Sequence, residues 1–210
     1  EQLAYWHSVH AGLPEGLPLD RDGGDNTYAR GAVVRVSLEP EATRRLLTDG
    51  ARAHRAEIND LLLAALGRAL GDWTGETAVG VYLEGHGREA TVEGTDLTRS
   101  VGWFTSAFPV RLSTGRGGPI ADHVREVRAD RDRIPERGVG YGVLRYLRRA
   151  PELTAGPDPQ VSFNYLGQLG TFTEAGELTA ARESSGSLMG VSGKRWTLLE
   201  VGCSVVADRL

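Results

Sequence analysis

The tightest constraint on the fold lies between residues 58 and 89, where a helical period gives way to a strand period across one glycine. In INDLLLAALGRALGDW, Ile58, Leu62, Ala65, Leu66, Ala69, Leu70 and Trp73 recur at the spacing that draws an apolar stripe along a helix, with Asn59 or Asp60 as its cap. After Gly75, TAVGVYLEGHGRE alternates as a strand does, with Val79, Val81 and Leu83 on one face and Tyr82 and Glu84 on the other.

Strands and helices alternate along the rest of the chain. AVVRVSL, from Ala32 to Leu38, reads as a strand, and Pro40 opens a helix through EATRRLLTDG that stops at Gly50. VGWFTSAFPVRL gives another strand. PIADHVREVRADRDRI gives a helix with Ile120, Val124, Val127 and Ile134 inward, and QVSFNYL a further strand. RWTLLEVGCSVVADRL is strand-like, and Ala207-Asp208-Arg209 resembles the approach to a hairpin, so the sequence is expected to end inside a larger fold. The expected class is α/β, a mixed β-sheet flanked by helices. Residues 12 to 32, rich in Pro, Gly and Asp, read as an ordered linker or surface crossing.

At 210 residues and 40% hydrophobic content, the chain can bury a core as one large domain or two small ones. Lys+Arg 24 against Asp+Glu 28 leaves a net charge of −4, which offers no basic field for a phosphate backbone, so nucleic acid is excluded as a partner. The single cysteine, Cys203, cannot form an internal disulfide and fits a reducing compartment. No run approaches the roughly 20 apolar residues that span a bilayer, and the first residues lack an export leader. The expectation is a cytoplasmic chain with no membrane partner.

Three places could carry chemistry. In EGHGRE, alternation brings Glu84, His86 and Arg88 to one face, where a carboxylate beside an imidazole and a guanidinium suits proton transfer; a solvated strand end with surface ion pairs has the same spacing. In FNYLGQ, Asn164 and Tyr165 are adjacent and should point to opposite faces. Tyr165 would then either hydrogen-bond a developing enolate or serve as a core aromatic. In GWFTS, Trp103, Thr105 and Ser106 could line an apolar passage with hydroxyls, or belong to a buried strand. Metal patterns fail. His7 and His10 have no partner ligands in zinc spacing, and Asp20, Asp22 and Asp25 lack the closing Glu of a calcium loop, where Gly31 stands. REVRADRDR interleaves both signs, as an exposed helix face does.

Taken in order, EGHGRE at 84–89, VGWFTSAFPV at 101–110, GVGYG at 138–142 and FNYLGQ at 163–168 resemble the successive motifs of nonribosomal peptide synthetase epimerization domains, and INDLLLAAL and LLEVGCSVV resemble family segments beside them. The related condensation domains usually differ at the first two motifs. The resemblance implies a chloramphenicol-acetyltransferase-like fold of two lobes, of which 33–210 would be the carboxy-terminal one and 1–32 an entry segment and inter-lobe linker. It implies inversion of the α-carbon of an aminoacyl or peptidyl thioester. The substrate would be presented on the 4′-phosphopantetheine of a peptidyl carrier protein, with no cofactor bound directly. Glu84 resembles the catalytic glutamate, Asn164 and Tyr165 match active-site residues, and His86 and Arg88 match supporting polar groups, with Glu89 behind them; Trp103, Thr105, Ser106 and Gln168 fall in stretches that would bind substrate. The family's HHxxxDG motif, carried on the amino-terminal lobe, does not occur in these residues. A downstream condensation domain would take the product. The alternatives are a non-catalytic docking module for a carrier protein or tailoring enzyme, and a condensation domain that forms peptide bonds.

Overall fold

The computed structural model describes residues 2–21, 23–88, 94, 96–169, 183, 184, 186, 187 and 189–210. Four strands, β1 (Ala78–Gly85), β2 (Ser106–Ser113), β3 (Val161–Gln168) and β4 (Leu199–Val205), form one mixed sheet in the order β2-β1-β3-β4. β2 runs antiparallel to β1, pairing Leu83 with Phe108, whereas β3 and β4 are parallel to it, pairing Leu83 with Phe163 and Phe163 with Val201. This register collects Val79, Val81, Leu83, Phe108, Leu112 and Phe163 into one buried cluster, and Tyr82, from the opposite face of β1, is buried as well.

Helix α1 (Gln2–Ala11) packs Trp6 against Phe108 and Tyr141, with ring centroids 5.9 and 5.1 Å apart. The next helical run is α2 (Pro40–Arg45), a π-helical turn (Leu46–Gly50) and α3 (Ala51–His54). It passes through Gly50, the expected stop, and ends where Arg55 turns left-handed at φ 50°. Gly50 serves close packing instead, since a Cβ there would stand 3.3 Å from Leu61 Cδ1.

Helix α4 (Ile58–Thr74) is capped by Glu57, two residues before Asn59 and three before Asp60, the expected caps. Asp60 completes a reciprocal capping box, its Oδ2 accepting from Glu57 N at 2.8 Å. The buried face of α4 is Asp60, Leu61, Leu63, Ala64, Gly67, Leu70 and Gly71, rotated from the expected stripe, and Trp73 is exposed. The small residues decide the rotation: a Cβ on Gly67 would meet Ser113 O at 2.4 Å and one on Gly71 would meet Thr114 Cβ at 2.5 Å. Contact of helix backbone with the sheet edge takes precedence over burial of the largest side chains.

Helix α5 (Ile120–Asp132) buries Val124 and Val127 as expected, but it also buries His123, whose Nε2 hydrogen-bonds Ser113 O at 2.8 Å, and it leaves Ile120 exposed. The expected strand at 32–38 joins no sheet among the described residues. Val33, Val34 and Val36 are exposed, and Leu38 N donates to Leu210 O at 2.8 Å. Alternation there finds no edge to pair with. At the end of β4, Val206 and Arg209 bridge across Ala207 and Asp208, both at positive φ, the conformation of a tight hairpin turn.

Beneath α1, a polar network joins the short helix α6 (Val139–Gly142) to the sheet. His10 Nε2 and Tyr141 Oη share a hydrogen bond at 2.9 Å, Arg145 Nη1 donates to Tyr141 Oη at 2.7 Å, and Arg145 and Tyr82 converge on Asp158 at 2.7 and 2.6 Å. Burial pushes the Asp158 carboxyl up, but the Tyr82 hydroxyl and the Arg145 guanidinium outweigh it and hold the acid below its usual range. A depressed carboxylate stabilises the fold above its unfolded value near 4 and stops doing so as pH falls through the lower folded value. Asp158→Asn is therefore expected to cost about 1 kcal/mol at neutral pH. In denaturant titrations, that difference from wild type should shrink below pH 4; a gap unchanged at pH 3 contradicts the ion pair's role.

Candidate active site

A cavity of about 960 Å³ opens at the carboxyl ends of the parallel strands β1 and β3, the position where open α/β sheets present ligands. Glu84 reaches its wall from β1 and Asn164 from β3, and the Asn164 Nδ2 donates to Glu84 Oε2 at 2.7 Å. Leu83 pairs with Phe163, so the parallel register sets the two polar side chains side by side. Partial burial raises the Glu84 carboxyl above the ordinary range and the like charge of Glu200 adds to the rise, so once ionised it is a stronger base than a free glutamate.

Tyr165 points to the opposite face from Asn164, as alternation requires, and sits across from Cys203 of β4. It nonetheless lines the same cavity, which wraps over the strand ends, while its ring also packs on the core. Burial, with a smaller contribution from Cys203, pushes its phenol up, so Tyr165 is a neutral hydrogen-bond donor at physiological pH. The packing of its ring agrees with the core-aromatic reading.

His86 lines the cavity and accepts from Arg88 N at Nδ1, 3.1 Å away. The Arg88 guanidinium donates to the carbonyls of Leu97, Ser100 and Gly102 at 3.0, 3.1 and 3.0 Å and lies over the Phe104 ring at 4.6 Å. It braces the GWFTS loop. Residues 102–105 of it precede β2 instead of belonging to it, and they line the cavity with Trp103, 96% exposed, and Thr105. Ser106 and Gln168 do not line the cavity: Ser106 pairs with Gly85 at the start of β2, and Gln168 lies beyond Gly167, whose φ of 79° coincides with a register shift. Glu89 lies outside the described residues.

The sequence reading missed the helical side of the cavity. Glu57, Asn59 and Leu63 come from the start of α4, Arg131 from the end of α5, and Ile134 and Arg137 from the turn that follows. Only the glycine cluster at 138–142 signalled this turn, because Glu136, Arg137 and Gly138 take φ 44, 50 and 87°, a left-handed run that packing imposes.

Residues 1–194 match the condensation-domain family. The chain is 37% identical over 206 residues to surfactin synthase subunit 1 of Bacillus subtilis (strain 168), a match covering 96% of this chain and 6% of that protein. It is 33% identical over 210 residues to bacitracin synthase 3 of Bacillus licheniformis, covering 100% of this chain and 3% of that protein. Among solved structures, it superposes on the epimerization domain from the third module of tyrocidine synthetase B with a TM-score of 0.88 and 32% identity, covering 99% of this chain and 47% of that one. The X-domain from teicoplanin biosynthesis, at 21% identity and a TM-score of 0.60 over 80% of this chain and 37% of that one, shares the fold. The chain thus spans a few per cent of these synthetases and about half of the superposed epimerization domain. With sheet, flanking helices and sequence in agreement, the chain belongs to the condensation-domain family of nonribosomal peptide synthetases and forms one lobe of its chloramphenicol-acetyltransferase-like fold.

Proposed function

We propose that this chain is the carboxy-terminal lobe of an epimerization domain that inverts the α-carbon, L to D, of an aminoacyl or peptidyl thioester. The substrate arrives on the 4′-phosphopantetheine of a peptidyl carrier protein, and a downstream condensation domain consumes the product. The observation that carries this reading is the Glu84 carboxylate, held by Asn164 at the wall of a cavity large enough for a thioester and part of its arm. Removing an α-proton requires a fixed base near the carbon, and reprotonation must come from the other side. A histidine of the HHxxxDG motif on the amino-terminal lobe fits that second role. Tyr165 is a neutral donor for the substrate, and Trp103 and Thr105 line its path.

The test uses the complete polypeptide with an aminoacyl thioester on its carrier protein in deuterated water. Deuterium at the α-carbon together with a D-configured product, without an acceptor, supports epimerization. Peptide-bond formation with an added acceptor thioester and no α-exchange assigns condensation instead. Neither reaction, with the carrier protein still bound, assigns a docking module.

A further inference from the structure

Three arginines line the cavity, and two are committed. Arg88 is spent on three loop carbonyls and the Phe104 ring. Arg131 bridges Glu57 at 2.7 Å and Asp60 at 3.2 Å. Arg137 has no hydrogen bond or ion pair with any described residue. It also sits at φ 50° directly after Glu136 at φ 44°, a conformation that side chains rarely adopt. The turn is locked against the strand that carries Glu84. Arg137 O stands 3.3 Å from where a Cβ on Gly85 would be, and a Cβ on Gly138 would fall 1.9 Å from Phe108 Cδ1. Fold stability does not account for a costly backbone conformation at a residue whose guanidinium has no partner among the described residues and which lines the same cavity as the candidate base. Such positions recur where chemistry needs a fixed group.

On the epimerization reading, the geometry points to Arg137 as the cation that holds the negative charge of the enolate. When the α-proton passes to a carboxylate, the C–H electron pair forms the C=C bond and the carbonyl pair moves onto the thioester oxygen. Reprotonation at carbon reverses both shifts, so no oxidant or co-reactant is consumed. Two other donors that line the cavity from β3 are less suited to that oxygen: the Asn164 amide is engaged by Glu84, and Tyr165 offers a neutral hydroxyl. A guanidinium carried on a turn that is fixed before the charge develops is the strongest electrostatic contribution the described wall can make.

The experiment follows α-deuterium incorporation in the complete polypeptide with an aminoacyl carrier protein, comparing wild type, Arg137→Gly and Arg137→Lys. Glycine takes a positive φ without strain, so Arg137→Gly removes the guanidinium and keeps the turn, which its melting temperature checks. Expected is a loss of about 100-fold in kcat with KM within threefold, a smaller loss for Arg137→Lys, and at least tenfold recovery of Arg137→Gly by added methylguanidinium. Arg137→Gly within threefold of wild type overturns the inference. So does a loss confined to KM for the carrier-borne substrate, which assigns the guanidinium to an anion on the arm, and so does a loss that methylguanidinium does not restore. Absence of α-exchange in wild type removes the epimerization reading itself, an outcome distinct from all of these.

Discussion

Glu84→Gln in the complete domain is expected to lower α-proton exchange by roughly 10³-fold while leaving carrier-protein binding and melting temperature near wild type. Glutamine retains the length of the side chain and an oxygen that can still accept from Asn164 Nδ2, so the contact between β1 and β3 survives. Only basicity is lost. Partial burial and the neighbouring Glu200 raise the carboxyl, so the acid limb of the exchange profile should lie above the ordinary carboxylate value near 4.3, since exchange requires the ionised form. Isotope incorporation by mass spectrometry across pH measures both effects. Exchange by Glu84→Gln within tenfold of wild type would assign the proton transfer to another group and leave Glu84 as a hydrogen-bond partner of Asn164.

The pairing of Glu84 with Asn164 was only half legible in the sequence. Each residue stood out within its own motif, but they are 80 positions apart, and what joins them is the parallel register of β1 and β3, which no local pattern states. β1 was legible because Val79, Val81 and Leu83 alternate with other residue types, although Ala78 and Tyr82 on the opposite face are buried as well. α4 was legible as a helix and misread as to its face, because Gly67 and Gly71 carry no hydrophobic signal and yet mark where the backbone meets Ser113 and Thr114. The run at 32–38 shows the reverse failure: its alternation is real, but alternation records a strand's capacity to pair and not the presence of an edge. EGHGRE set Arg88 beside Glu84, whereas its guanidinium turns to the carbonyls of a loop up to 14 residues further on. Arg137 was invisible for a third reason. Its position depends on left-handed backbone chosen by tertiary packing, in residue types that do not favour it.

That packing gives the second large expectation: Gly138→Ala should destabilise the lobe by about 3 kcal/mol, the sum of a left-handed penalty and overpacking. At φ 87°, Gly138 occupies backbone that a side chain adopts only under strain, and the added methyl would lie 1.9 Å from Phe108 Cδ1. Phe108 cannot give way freely. It is 5% exposed, pairs with Leu83 in the sheet and packs against Trp6, so moving it disturbs α1 and the cavity together. At the roughly 2–4 °C per kcal/mol of a chain this size, the melting temperature should fall by about 6–12 °C. Gly142→Ala is the control, because nothing lies within 4 Å of the Cβ it would add and its φ of −60° is helical; it should melt within about 2 °C of wild type. The same displacement would shift Arg137 away from Glu84, so Gly138→Ala should lose α-exchange even at temperatures where it remains folded. A Gly138→Ala protein that melts like the control and exchanges like wild type would mean that the turn is free to move. In that event neither Phe108 nor the left-handed run fixes the wall of the cavity.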